Sequence, residues 1–595
     1  MRLLLRAGNL KGLFCGFIIC LLYSTVFGLI EPNQVLILVN QNSPTSRYIA
    51  KLYQQYHPGI ADTQILYLAD NPSYPDLHLP DCSGPNSTAA DEIISRDEYE
   101  ILIAQPVRQY LVQNNKVNSV RVIITTAGLP YRIADSTYTS LVLPAGGISY
   151  TSSLVTSIDA ASVEAELTIL FQNDPNNSNT IGPFDRVVNP YQGYRKSGIE
   201  LFSRNIINNL LNFDWRRPRK LTASHYPPWM EGLRGRNEGV QGRQFSAGDI
   251  YLTCRLDGPK NQGQSAIFAV RDMLERAKRA SSPAYGINPA QATVVLDDAP
   301  LASNFNSNRI YNLNQYVNYI IWQPGVQQPP DTTYAESRDD YDSGFHQMTG
   351  LTVVPDVLNT GLMSSAHNLN VICDKRMSIR LNQASLAAGK LVSALAGLGT
   401  NGDEGSNKYY LLSGGPSGGP LFSMAYGAVF CSIESFNGAS MFSDASSAQA
   451  KIIDFLKIGG TGAIGHSFEP LSDATIDTEF FYYNLLADSD GDGYADMTFI
   501  EAAFTGIPYL SWSEVVIGDP LMRIAYGPGG QAQSVVPGDI NGDGQKDITD
   551  VYLWTQYYLG SLDSEDPNIF DRYNDLCDLN HDGQINFIDY ALLFE

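Results

Sequence analysis

A twelve-residue pattern occurs twice near the end of this 595-residue chain. Asp539-Ile-Asn541-Gly-Asp543-Gly544-Gln545-Lys-Asp547-Ile-Thr-Asp550 returns 39 residues later as Asp578-Leu-Asn580-His-Asp582-Gly583-Gln584-Ile-Asn586-Phe-Ile-Asp589. Each copy reads D-x-N-x-D-G-x-x-[DN]-x-x-D. Calcium takes about six to eight oxygens, and a twelve-residue loop supplies them from positions 1, 3, 5, 7, 9 and 12. Positions 1, 3, 5, 9 and 12 are Asp or Asn in both copies. Gln545 and Gln584, at position 7, need only a backbone carbonyl. Gly544 and Gly583, at position 6, permit the sharp turn that a Cβ would oppose. Position 12 is Asp, where a sensor EF-hand has Glu. The spacing predicts two metal loops and, after the first, a helix from Val551 to Leu559 closed by Gly560.

The tail that holds these loops is acidic. Residues 538–595 carry 13 Asp/Glu and 2 Lys/Arg, so nearly half of the net charge of −23 sits there, much of it as ligand chemistry. No basic patch marks a nucleic-acid partner. At the other end, Arg2, Arg6 and Lys11 precede an apolar run from Leu13 to Val26 and then Gly28. This reads as a secretory signal over 1–28, with a retained membrane anchor as the alternative. No later stretch approaches the roughly 20 apolar residues that span a bilayer. The expected location is secreted or at the cell surface. Five cysteines remain after the signal (Cys82, Cys254, Cys373, Cys431 and Cys577), and none forms a CxxC. A disulfide framework is not expected in a chain of this size.

Between signal and tail the pattern is α/β. Val35 to Val39 reads as a buried strand. Ser43 suits an N-cap and Pro44 a first helical turn, so a helix should run to about Tyr56. A strand from Ile65 to Leu68, a helix over 97–113 and a strand from Val120 to Thr125 follow, the last ending in Gly128-Leu-Pro130. This alternation implies a parallel sheet with helices on both faces. Residues 134–250 read as a loop-rich insertion. Asp159, Glu164 and Glu166 within it are candidates for acid/base groups or metal ligands, with a solvated helix face as the expectation. Arg255-Leu-Asp257-Gly258-Pro259 opens a second stretch, with a helix over 264–280 and a strand from Ala292 to Leu296. That strand ends in Asp297-Asp298, at the strand end where open α/β sheets place their sites. A third stretch has strands near 351–355 and 369–373, a helix over 383–397, strands over 409–412 and 428–433, and a helix over 446–457.

Asp488-Ser-Asp490-Gly-Asp492-Gly493-Tyr494-Ala-Asp496 matches positions 1 to 9 of the tail loops. Position 12 is Phe499, and Glu501 comes two places late. Asp488, Asp490, Asp492, Tyr494 and Asp496 are therefore candidates for a third metal loop, with an acidic surface turn as the alternative. The chain divides into an α/β body over 29–349, a further α/β part over 350–526, a linker over 527–537 and the tail over 538–595. Gly and Pro without charge make the linker a flexible tether in expectation.

Residues 538–595 resemble a type I dockerin, the calcium-dependent module that joins secreted enzymes to cohesin partners. The resemblance implies a small all-α domain with paired EF-hand-like loops, bound calcium, a cohesin-like or cell-surface partner, and an association with polysaccharide breakdown. Dockerins commonly carry Ser/Thr-type residues just before the last Asp, where the cohesin is read. Here those pairs are Ile548-Thr549 and Phe587-Ile588. Val35 to Pro44, Gly128-Leu-Pro130, Ser162 to Leu167, Arg255 to Pro259 and Gly518-Asp-Pro-Leu521 together resemble an uncharacterised family of exported bacterial proteins, over nearly all of 33–526.

Residues 350–526 distantly resemble the gingipain (clostripain/caspase-like) peptidase fold. That fold places a His in a Gly-His-Gly turn after one strand, and a Cys before an Asn-Gly after the next. This sequence has Ser413-Gly414-Gly415 at the first place and Glu434-Ser435-Phe436-Asn437-Gly438 at the second. Ser435 thus stands where the nucleophile would be, with Cys431 four residues earlier. A Cys nucleophile needs a base to form its thiolate, and His466 is the candidate. A buried Cys and a structural His are the alternative. Three functions follow as expectations: a docking or assembly protein with a silent body, a secreted hydrolase acting on polysaccharide, and a peptidase using Cys431 or Ser435 with His466.

Overall fold

An apolar strand without alternation needs cover on both faces, and β1 (Val35–Asn40) has it, since every residue is buried. The structure, a computed structural model, describes residues 29–84, 86–133, 161–171, 187–189, 250–260, 266–288, 292–297, 370–374, 391–397, 423–432, 436–442, 452–468, 476, 478–486, 488, 491–507 and 509–594. Residues 1–28, Asp159, Asp298, Ser413 to Gly415, Ser435, Asp490 and the expected strands at 351–355 and 409–412 lie outside the described residues.

Beside a small three-stranded and a two-stranded sheet among the described residues, the body is built on one large sheet. Its strands in chain order are β1, β2 (Ile65–Leu68), β3 (Val122–Thr126), β4 (Leu252–Leu256), β5 (Ala292–Asp297), β6 (Asn370–Asp374), β7 (Leu391–Gly397), β8 (Ser423–Ser432), β9 (Gly462–His466) and β10 (Glu514–Gly518). In space the ten strands follow the order β6-β5-β7-β8-β9-β10-β4-β3-β1-β2. The sheet is mostly parallel; β10 runs antiparallel to β9 and meets β4 at Ile517 and Arg255. Strand β5, from 29–349, lies between β6 and β7 of 350–526, and β10 meets β4, so the two α/β segments share one sheet.

Successive strand residues feed two cores. Val35, Ile37, Val39, Val122 and Ile124 join one, with α1 (Pro44–Tyr56) and α4 (Ala266–Ala280) over them. Leu36, Leu38 and Ile123 join the other, with α2 (Gln105–Gln113) and α3 (Val163–Leu167). Helices therefore cover both faces of this part of the sheet. The first end of α1 forms as its sequence dictates: Ser43 Oγ accepts the N–H of Ser46, and Pro44 opens the helix. Helix α2 continues a segment that begins at Arg96 and is π-wound over Tyr99–Ala104. Further on come α5 (Ile452–Lys457), α6 (Thr478–Leu486) and α7 (Phe499–Gly506).

Two expectations change. The helix over 383–397 is not what forms at its second half, because Leu391–Gly397 is β7, between β5 and β8. A continuous run of small and apolar residues suits a buried central strand as well as a buried helix, and periodicity does not separate the two. The linker is not a free tether. The N–H of Ala532 bonds the carbonyl of Met424 at 2.7 Å, and that of Val535 bonds Asp272 at 2.6 Å. Arg276 reaches Ser534 at 2.7 Å.

The tail carries three helices, α8 (Ile548–Tyr557), α9 (Pro567–Arg572) and α10 (Phe587–Leu592). Trp554, Leu562, Tyr573, Cys577, Ile585 and Leu593 bury their apolar groups in continuity with the core on the α1 and α4 side. Among the described residues no helix is long and apolar enough to cross a membrane.

Candidate functional site

In the first tail loop the carboxylate of Asp539 accepts the N–H groups of Gly542, Asp543 and Gly544 at 2.9, 3.2 and 2.8 Å. Asp550, eleven residues on, accepts from Ile540, Asn541 and Asp547 at 2.7, 3.2 and 2.9 Å. The second loop repeats five of these six bonds. Asp578 accepts from Asp582 and Gly583 at 3.1 and 2.8 Å. Asp589 accepts from Leu579, Asn580 and Asn586 at 2.8, 3.3 and 2.9 Å. Positions 1 and 12 are thus drawn into each loop from opposite ends.

Position 6 is left-handed in both loops, with φ of 85° at Gly544 and 82° at Gly583. That is backbone an L-residue rarely adopts. Position 9 caps the helix that follows: Asp547 accepts from Thr549 at 2.7 Å and Asn586 from Ile588 at 2.8 Å. Asn541 and Asn580 each donate to the Asp two places on, both at 2.9 Å. Burial, with Asp589 and Asp582 nearby, pushes the Asp578 carboxyl up to about 6, against the hydrogen bonds from Tyr573 and Gly583. Crowding of carboxylates in a partly buried loop is the electrostatic condition that a divalent cation relieves.

Among the described residues no three His, Cys, Asp or Glu side chains cluster closely enough to hold a metal by themselves. The tail loops draw on a wider donor set, which includes Asn side chains and the position 7 carbonyls of Gln545 and Gln584. In donor type, order and backbone shape that set fits calcium. Residues 537–594 match the type I dockerin domain. Dockerin domains bind cohesin partners and occur in extracellular proteins. No curated protein and no solved structure matches the chain. The dockerin match does not reach the body, and it lends no support to a gingipain-like or hydrolase reading there.

The dockerin domain shows large apolar side chains to solvent. Ile548, Tyr552, Leu559, Phe587, Ile588 and Phe594 are all more than half exposed. Ile548 and Phe587 are the residues that directly follow position 9 in the two loops.

The third loop shares part of the same geometry. Asp488 is buried and accepts from Gly491 and Gly493 at 2.8 and 3.1 Å, as position 1 does in the tail. Gly491 and Gly493 have φ of 74° and 87°. Asp492 accepts from Tyr494 at 2.8 Å and faces Arg523 at 3.1 Å. Asp496 is buried. Phe499, at position 12, is core, and Glu501 caps α7 through Thr498.

The peptidase candidates sit differently. Cys431 lies in β8 opposite Ile464 of β9, two residues before His466, and both side chains are fully buried. Cys431 Sγ shares a hydrogen bond with the Tyr482 hydroxyl at 3.2 Å, and burial pushes its thiol up to about 12. A thiolate, the reactive form, is disfavoured there.

The acidic pair Glu164 and Glu166 is not a solvated face. Both side chains are buried, and they belong to a charge network at the carboxyl ends of β3 and β4. Arg255 of β4 binds Glu164 and Asp257, each at 3.0 Å, and also the carbonyl of Leu129. Thr125 donates to Glu164 at 2.5 Å. Lys260 meets Asp257 at 3.2 Å and Glu92 at 3.5 Å. Glu166 takes Arg96 at 3.0 Å and Ser511 at 2.7 Å. Burial raises the Glu92 carboxyl above its usual range, and Lys260 opposes the shift.

One oxygen of Glu92 and one of Glu164 are buried with no hydrogen-bond partner among the described residues. Glu164 and Arg255 stand in separate motifs of the sequence, and no local pattern marks Glu92 or Lys260. Only the Arg-x-Asp-Gly-Pro run, with its charges beside an apolar strand, hinted at a buried pair.

Proposed function

We propose that the dockerin domain docks this chain to a cohesin partner, with calcium held in both tail loops. The supporting observation is the repeated geometry: positions 1 and 12 of each loop converge on backbone N–H groups in the same order, around a left-handed position 6. In the first loop the ion is assigned to Asp539, Asn541, Asp543, the Gln545 carbonyl, Asp547 and Asp550. In the second it is assigned to Asp578, Asn580, Asp582, the Gln584 carbonyl, Asn586 and Asp589. Bound calcium supplies positive charge that offsets the crowded carboxylates. Because Asp547 and Asn586 also cap helices, the state of each loop is tied to the helix after it.

The partner surface is the exposed apolar set that includes Ile548, Tyr552, Phe587 and Ile588. An apolar patch of this kind on a soluble domain calls for a partner. We extend the calcium reading to Asp488, Asp490, Asp492, the Tyr494 carbonyl and Asp496, where an ion has to compete with Arg523 for Asp492.

Capture on immobilised cohesin modules tests the docking. The intact chain should be retained in calcium and released by a chelator. Ile548→Asp combined with Phe587→Asp should lose capture while calcium binding persists. Retention that ignores calcium, or survives the double substitution, contradicts the proposal.

A further inference from the structure

A second part of the dockerin domain is covered by the body itself. Arg271 of α4 places Nε 2.8 Å from each oxygen of Asp575, and its Nη2 also donates to that carboxylate. The Tyr48 hydroxyl, on α1, donates to Asp575 at 3.1 Å and accepts the Asp575 N–H at 3.4 Å. Tyr48 and Asp575 are each 2% exposed. Around this centre Arg47 lies 4.9 Å over the Phe570 ring, and Lys51 pairs with Asp571 at 3.2 Å.

The contact continues into the second calcium loop. The Tyr573 ring meets Tyr48 edge-on at 5.0 Å, and the Tyr573 hydroxyl donates to Asp578 Oδ2 at 2.7 Å. Phe268 of α4 lies 5.7 Å from the ring of His581, a loop residue with φ of 58°. Among the described residues no hydrogen bond or ion pair of this kind joins residues 539–550 to the body.

We propose that α1 and α4 form a docking surface for the dockerin domain of the same chain, and that this contact tightens calcium binding at the second loop but not at the first. The inference rests on the calcium reading of the tail. Its physical basis is a relay of two side chains. The body holds the Tyr48 ring, Tyr48 holds the Tyr573 ring, and the Tyr573 hydroxyl fixes the oxygen of Asp578 that also accepts Gly583. Outer partners that orient a ligand carboxylate typically carry about 10–100-fold in metal affinity. Linkage makes the effect reciprocal, so calcium in the second loop strengthens the hold of the tail on the body by the same factor.

Calorimetric calcium titration of the full chain tests this. An Asp539→Ala background reads the second loop, an Asp578→Ala background reads the first, and the double variant gives the remainder. Adding Arg271→Ala should weaken the second loop about 10-fold and leave the first within about 2-fold. Tyr573→Phe, which removes only the hydroxyl, should weaken the second loop in the same direction. Equal affinities with and without Arg271, or equal losses at both loops, overturn the coupling. If the intact chain binds no calcium, the calcium reading itself fails. Docking is then decided separately by hydrogen exchange over residues 44–56. Protection in the intact chain beyond that in a chain cut at 530 supports it, and identical protection overturns it.

Discussion

Arg255 is fully buried, and its guanidinium serves Glu164, Asp257 and the Leu129 carbonyl at once. Paired charges in a low-dielectric interior are stable only as a complete set, because removing one partner leaves an uncompensated charge behind. Arg255→Met should therefore destabilise the body by about 3–5 kcal/mol, read as a lower denaturant midpoint with an unchanged slope. Loss below about 1 kcal/mol would mean that Glu164 and Asp257 find other partners or protons. Gly128 shows a backbone constraint at the same place. Its φ is 95°, and an added Cβ would lie 2.4 Å from Ser43 Oγ. The Gly-Leu-Pro turn is legible in the sequence, but its neighbour Ser43, which follows the adjacent strand β1, is not.

Elements meet through a second, partly buried pair. His57 follows the last residue of α1, and its Nε2 lies 2.9 Å from Asp519, just past β10. Tyr53 donates to the other oxygen of Asp519 at 2.9 Å. Burial lowers the His57 pKa, but the Asp519 carboxylate outweighs it and carries the group above 6.5. For Asp519 burial acts upward, and His57 outweighs it to leave the carboxyl below 3.8. A raised His contributes fully below its unfolded value and is lost as pH rises through the folded one. A lowered Asp contributes above its unfolded value and is lost as pH falls. The pair should thus stabilise the fold most between about pH 4 and 6.5 and less on either side. His57→Gln should lower the melting temperature most between about pH 4 and 6.5, and so flatten the fall of the profile on the two flanks outside that window; an unchanged profile would assign it to other groups. The helix of α1 itself was legible from Ser43-Pro44, whereas its terminal partner lies 462 residues away.

At the scale of the whole molecule, the tail is part of the packed structure. Residues 532–535 bond to the body, and Arg271 and Tyr48 close on Asp575. A ligand that binds only the folded tail adds stability by mass action, about 2.7 kcal/mol at a hundredfold excess over its dissociation constant. Chelation of calcium should therefore lower the melting temperature of the intact chain and leave a chain cut at 530 less affected. Equal shifts in the two chains would place the relevant ion in the body, at the Asp488 loop.

What the sequence determined by itself is local. Each tail loop is twelve consecutive residues, its candidate donors are neighbours along the chain, and its turn takes glycine at one place; all of this is written in order. The alternation of strands and helices is local in the same sense. The tertiary structure decided which charged residues are buried. Glu164 and Glu166, polar residues on a short helix, suit solvent until Arg255, 91 residues on, arrives beside Glu164. It also decided that Leu391–Gly397 is a strand, since its neighbours β5 and β8 supply the hydrogen bonds that a helix would make within itself. The contact of the tail with the body is tertiary too, since nothing in the tail's own sequence announces Tyr48, 527 residues before Asp575. Burial and pairing depend on which segments the folded chain brings together, and spacing along the sequence carries no record of that.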